Sequence, residues 1–173
     1  MKKNSSPPFQ RKKRPKYIFD TSSVIALLEV CQLGDVLFEF SKKANLHLPH
    51  KVKDEFLDGN PLQTHANALE KIFSIGSCTV RKELLPYFHF DSDCGEIWVI
   101  SYAIEKPEYC CVIDEEFGRN ICRLFKVKLT GSIGIISKLK NLGYLTNADL
   151  IQLKKLLRKS PFYISEELLN ELC

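Results

Sequence analysis

Two aspartates in this chain stand where a short apolar run gives way to polar residues. Asp20 follows Tyr17-Ile18-Phe19 and precedes Thr21-Ser22-Ser23, and Asp114 follows Tyr109-Cys110-Cys111-Val112-Ile113. Runs of this kind read as buried strands, and in each case the residues beyond carry helical signals. In a parallel α/β sheet the functional crevice lies beyond the carboxyl ends of the strands, so acids at two such ends can meet in space. Like charges that converge there are relieved by a hard divalent cation, since Mg²⁺ or Mn²⁺ prefers oxygen ligands and retains several waters. The chemistry such a site serves is in-line attack of water on a phosphodiester. Glu55 and Glu96, each near the start of a helical segment, are the next candidates, and Asp93 lies one turn before Glu96.

Each of these acids also has a plain structural reading. Asp93 with Glu96 three positions on has the pattern of a capping box. Asp20 and Asp114 can each cap the helix that follows. Glu55, beside Asp54 and among Lys51 and Lys53, can be an ordinary solvated helix charge. Spacing alone leaves both readings standing.

The elements that must position these residues alternate along the chain. After the strand 17–19 and the helix opened by Asp20-Thr21-Ser22-Ser23, a second helix is expected over Gly34 to Lys43 and a strand over Leu46 to Leu48. Helical spacing resumes over 52–57 and 62–73, and Cys78-Thr79-Val80 reads as a short strand or as irregular. Further on come a helix from Asp93 to Glu105, the strand 109–113, a helix over 115–125, a strand over Lys126 to Leu129 and a helix from Ser132 to Leu142 closed by Gly143. A helix after Thr146, a break at Ser160-Pro161 and a terminal helix with Leu168, Leu169 and Leu172 on one stripe complete the chain. Alternating buried strands and helices imply an α/β fold with a parallel sheet covered on both faces. The leucine stripe suits core packing, with a partner-docking face as the other option.

Composition sets the outer bounds. The 173 residues suffice for one domain with a substantial core, and 45% hydrophobic with 27% charged residues is the usage of a globular chain. The net charge of +4 is uneven, because Lys2, Lys3, Arg11, Lys12, Lys13, Arg14 and Lys16 precede Tyr17 with no acid among them; removing those seven leaves the remainder at −3. Residues 1–16 therefore read as a flexible basic arm and 17–173 as the folded body. Lys12, Lys13, Arg14 and Lys16 are the candidate nucleic-acid contacts, a solubilising leader being the alternative. Seven cysteines form neither a CxxC pair nor a zinc-like cluster, which indicates buried reduced thiols and a cytoplasmic location. No apolar run is long enough to span a membrane, and no P-loop or GxGxxG stretch points to a nucleotide cofactor.

The order and context of the acids resemble the PIN-domain nucleases over most of the chain from Tyr17 onward. YIFDTSSVIALLEV is similar to that family's first strand, first acid and small hydroxyl, and LPHKVKDEF to the segment that carries the second acid. DSDCGEIWVISYAIE resembles the helix with the third. CCVIDEEFGRNICRLFKVKLTGSIGII resembles the strand with the fourth, followed by the Gly-Arg helix and Thr-Gly turn of a VapC-like branch. The resemblance implies a three-layer α/β/α sandwich with a mainly parallel, doubly wound sheet. It further implies a Mg²⁺- or Mn²⁺-dependent ribonuclease acting on RNA, often the toxin of a toxin-antitoxin pair neutralised by a small partner protein, and often a homodimer.

Asp20, Glu55, Glu96 and Asp114 would take the catalytic roles, with Asp20, Glu96 and Asp114 as metal ligands. Thr21, Ser22 and Asp93 would help position water or phosphate, Glu115 or Glu116 would add a further acid, and Arg119 would reach phosphate or else pair with a nearby acid. The chain departs from the family pattern at Ile97, Trp98 and Tyr102, where smaller residues are usual, and in its basic arm. The competing expectation is a PIN-like module that binds RNA or protein without cutting.

Overall fold

The computed structural model describes residues 14–88, 93–160, 165–170 and 172. Five short strands form one all-parallel sheet: β1 (Lys16–Phe19), β2 (Asn45–Pro49), β3 (Ser74–Gly76), β4 (Cys110–Val112) and β5 (Leu129–Thr130), in the spatial order β3-β2-β1-β4-β5. The chain winds outward from β1 through β2 to β3, then returns to the other side of β1 for β4 and β5. Such a doubly wound order places its switch point between β1 and β4, where a crevice opens at the strands' carboxyl ends.

Helices cover both faces, as the sequence pattern predicts for strands apolar on both sides. Ile18 and Phe19 of β1, Leu48 of β2, and Cys111 and Val112 of β4 have no solvent exposure. Helix α1 (Thr21–Ile25) leaves β1 and widens into a π-helical turn over Ala26–Val30, and α2 (Gly34–Ser41) follows. The middle of the chain adds α3 (His50–Asp58) and α4 (Gln63–Ile72). Helix α5 (Gly95–Glu105) packs on β1, β2 and β4 and against α3, while α6 (Glu116–Leu124) and α7 (Ser132–Asn141) lie against β5. Helices α8 (Asn147–Lys159) and α9 (Glu166–Asn170) close the chain.

Some of the expectations are met and others need correcting. Ordered chain begins before Tyr17: Pro15 accepts a bond from the Asn45 amide, and Lys16 lies in β1, ion-paired with Glu108 at 3.0 Å and 5.3 Å from the Tyr109 ring centre. Lys16 is thus part of the sheet rather than of an arm. Arg14 is exposed, and Lys12 and Lys13 fall outside the described residues. The third strand is Ser74–Gly76, paired with His47 to Pro49, and 78–80 is irregular. The fifth begins at Leu129 because Lys126, at φ 55°, still belongs to the turn that ends α6. A 3₁₀ segment over Lys82–Tyr87 has no counterpart in the sequence pattern. Asp93 and Glu96 form no capping box; that motif is instead made by Thr146 and Asp149 at the start of α8. Of the terminal leucines, Leu169 and Leu172 are buried and only Leu168 is exposed, which is core packing.

Candidate active site

Asp20 is the residue after β1 and caps α1. Its backbone amide continues the sheet ladder to the Val112 carbonyl at 3.2 Å, so the residue is locked to the end of β4 as well as β1. One carboxylate oxygen accepts from the Ser23 amide at 2.8 Å and the other from the Ser22 hydroxyl at 2.9 Å. Ser23, fully buried, donates its hydroxyl to the carbonyls of Asp20 and Val112 and so stitches the two strand ends together. Asp20 is only 2% exposed. Burial pushes its carboxyl up to about 7, helped by the charge of Asp114 and opposed by the serine hydrogen bonds.

Asp114 stands two residues beyond β4, half-buried, where the α7 start reaches it. The Ser132 amide donates at 2.8 Å and the Ser132 hydroxyl at 2.5 Å. Arg119, one turn into α6, directs its Nη1 to the Ile113 carbonyl at 2.8 Å and the Thr130 carbonyl at 3.4 Å, tying together the ends of β4 and β5 rather than pairing with an acid.

Glu55 and Glu96 come from the helices that face the same crevice. Glu55 accepts from the Thr21 hydroxyl and, at 2.8 Å, from the Gly95 amide, which links α3 to α1 and to the start of α5. It is therefore not an ordinary solvated charge. Glu96 has a buried Oε1 with no hydrogen-bond partner. Burial lifts its carboxyl to about 7, with further upward pushes from Glu115, Asp20 and Glu55 in that order. Gly118 explains how α6 comes so close: a Cβ there would lie 2.8 Å from the Glu96 Oε1. Sequence reading did not single out Ser23, Ser132 or Gly118.

The remaining candidates divide. Thr21 and Ser22 hold the acids directly, and Glu115 is near enough to raise Glu96. Glu116 turns to Arg123, 2.9 Å away. Asp93 is exposed and takes bonds from Lys51 at 2.9 Å and the Trp98 indole at 3.0 Å, which hold its carboxyl below the usual range.

The donor set suits a hard divalent cation. It is all oxygen, burial and then neighbouring acids raise the carboxyls of Asp20 and Glu96, and one buried carboxylate oxygen lacks any protein partner. Among the described residues no three acidic, histidine or cysteine side chains already close into a metal-ligand group. Serine, threonine and amide donors instead hold Asp20, Asp114 and Glu55 against the walls of the crevice. No described helix is long and apolar enough to cross a membrane, and the cysteines among the described residues are free thiols.

No curated protein and no solved structure matches the chain. A family model described as a PIN domain matches residues 16–173, almost the whole length and both halves of the acidic crevice. With the five-stranded parallel sheet in doubly wound order, that match establishes a nuclease-type fold, and the chain belongs to the PIN-domain family.

Proposed function

We propose that this protein is a Mg²⁺- or Mn²⁺-dependent ribonuclease in which Asp20, Glu96 and Asp114 hold the cation and Glu55 completes the catalytic acids. The observation that carries the reading is the unpartnered, buried Oε1 of Glu96, whose carboxyl is lifted to about 7 by burial first and by the neighbouring acids after it. An acid in that position is an unrelieved cost to the fold unless a cation offsets it. Removal of the Glu96 and Asp20 protons near neutral pH readies both groups to ligate. Ser22, Ser23 and Ser132 orient the two aspartates, and the Gly95 amide orients Glu55. A bound divalent cation would supply the Lewis acidity for attack of water on a phosphodiester.

RNA as substrate, a toxin's role with a small antitoxin-like partner and a homodimeric state are parts of this proposal that rest on the family resemblance. The test is cleavage of mixed RNA by the purified protein with Mn²⁺. Cleavage is expected to stop with chelator and in the Asp20→Asn/Asp114→Asn variant; full cleavage by that variant, or none by the wild type, would reject the reading.

A further inference from the structure

The end of the sheet opposite the acidic crevice gathers cations. Neighbouring strands start nearly level there, with Lys16 beside Asn45, Tyr17 beside Cys110 and Cys111 beside Leu129. At those starts, or in the few residues leading into them, stand Arg14 and Lys16 for β1, Lys43 for β2, Lys106 for β4, and Lys126 and Lys128 for β5. The cations therefore run along the amino ends of the strands, over about 14 Å from β2 to β5 at the usual strand spacing.

Three of these lysines converge on the turn that joins α5 to β4. The Lys16 ammonium lies 5.3 Å from the Tyr109 ring centre and 3.0 Å from Glu108. The Lys106 ammonium lies 4.8 Å from the ring centre of Tyr102, which meets Tyr109 edge to face at 5.1 Å. Lys128 donates to the Pro107 carbonyl at 2.9 Å. Both tyrosines are buried, so they hold ammonium groups at the surface without offering a ring to a partner. Glu108 is taken by Lys16, and among the described residues Lys106, Lys126 and Lys128 form no ion pair. Lys126 and Lys128 also line a cleft of about 350 Å³ whose other walls include Ala103, Ile104 and Val127. An anion seated there meets two ammonium groups beside an apolar wall, which screens them less than water does.

Helix dipoles favour cations at this end of the sheet, but only within the last turn. That accounts for Lys106 at the end of α5, not for Lys16 in β1 or Lys128 beside β5. Like charges gathered with few acids repel one another, and an anion relieves them.

We infer that this row is a second RNA-binding surface, which grips phosphates regardless of sequence and holds the RNA while the crevice at the far end of the sheet acts on it. Lysine suits phosphate contacts, whereas protein interfaces are depleted of it. The metal-free crevice is acidic and repels phosphate; this row attracts it. The two ends are about 15 Å apart, the length of one strand, so a single RNA molecule reaches both. The inference rests on the ribonuclease reading only for its choice of RNA as the polyanion.

The test is fluorescence anisotropy of a labelled RNA hairpin with the full chain in chelator, so that nothing is cut, over a series of salt concentrations. Binding is expected without metal. Lys106→Gln/Lys126→Gln/Lys128→Gln is expected to bind about tenfold more weakly and to flatten the slope of log affinity against log salt by about two. The same three positions changed to Arg are expected to behave as wild type, which separates charge from fold. Lys82→Gln/Lys155→Gln/Lys159→Gln, which removes the same charge from exposed positions away from the strand starts, is expected to leave the slope nearly unchanged. An unchanged slope in the first variant overturns the surface, as does an equal loss in the last, which would reduce it to attraction by net charge. Phosphatidylserine vesicles that bind with this lysine dependence, while the hairpin does not bind, would assign the row to a membrane and overturn it too. A parallel cleavage assay in Mn²⁺ separates the two readings. Cleavage by wild type with the same KM in the first variant, and an unchanged slope, rejects the surface alone. No cleavage by wild type, with the slope flattened in that variant, rejects the nuclease and leaves the surface.

Discussion

Asp20 and Glu96 each have a carboxyl raised to about 7 from ordinary values of 3.8 and 4.5. The folded state therefore binds their protons more tightly than the unfolded chain does. Stability from this source is complete below the unfolded values and drains away as the pH rises toward 7, leaving the metal-free fold weaker by a few kcal/mol at alkaline pH. His47, buried and lowered to about 4, works in the opposite sense, favouring the fold as the pH rises through the 4 to 6.5 interval. Comparison with Asp20→Asn isolates the carboxyl. In chelator, the wild-type thermal midpoint minus that of Asp20→Asn is expected to fall between about pH 5 and pH 8. Mn²⁺ is expected to restore the wild type at pH 8 and do little at pH 5, since ligands must lose their protons before they bind metal. A difference that stays constant with pH would show that Asp20 is not strained by its surroundings. Asp20 and Asp114 were legible in the sequence because an apolar run ending in an acid is a local pattern. Ser132 was not: a serine that opens a helix looks like any helix start, and its bond to Asp114 reaches back 18 residues.

At the scale of the element, α6 shows what local pattern can and cannot convey. Its existence and span follow from the apolar positions, yet which of Glu115 and Glu116 faces Glu96 depends on the helix rotation. Gly118 sets that rotation by lying directly on the Glu96 carboxylate. Gly118→Ala would normally favour an exposed helix interior by up to about 1 kcal/mol. Here the added carbon must displace Glu96 or tilt α6. The expected outcome is loss of Mn²⁺ affinity and RNA cleavage by an order of magnitude or more, while far-UV dichroism stays that of the wild type. Undiminished metal binding by Gly118→Ala would mean that Glu96 is not held where α6 needs it to be. The third and fifth strands were the elements least legible in advance. Each is only two or three residues long, and both are specified by ladder pairing to a distant neighbour rather than by their own composition.

For the whole molecule, the alternation of helix and strand was sufficient to specify a parallel α/β sheet. The strand order was not readable from alternation, because many orders share one pattern of elements. It is the order that puts β1 beside β4 and so brings Asp20 to Asp114 across the switch point. This arrangement has a consequence in time. Tyr17 pairs with Cys110, and Phe19 with Val112, so the first strand has no partner on that side until most of the chain exists. Contacts between such distant residues form late, after loop-closure entropy has been met. In refolding from denaturant, Mn²⁺ binding should appear with the slowest major phase, after the bulk of the helical signal; metal capture in the earliest phase would contradict this. A chain still emerging from the ribosome would then lack an assembled acidic crevice until its second half is made, so whatever chemistry that crevice performs begins only after most of the chain has been synthesised.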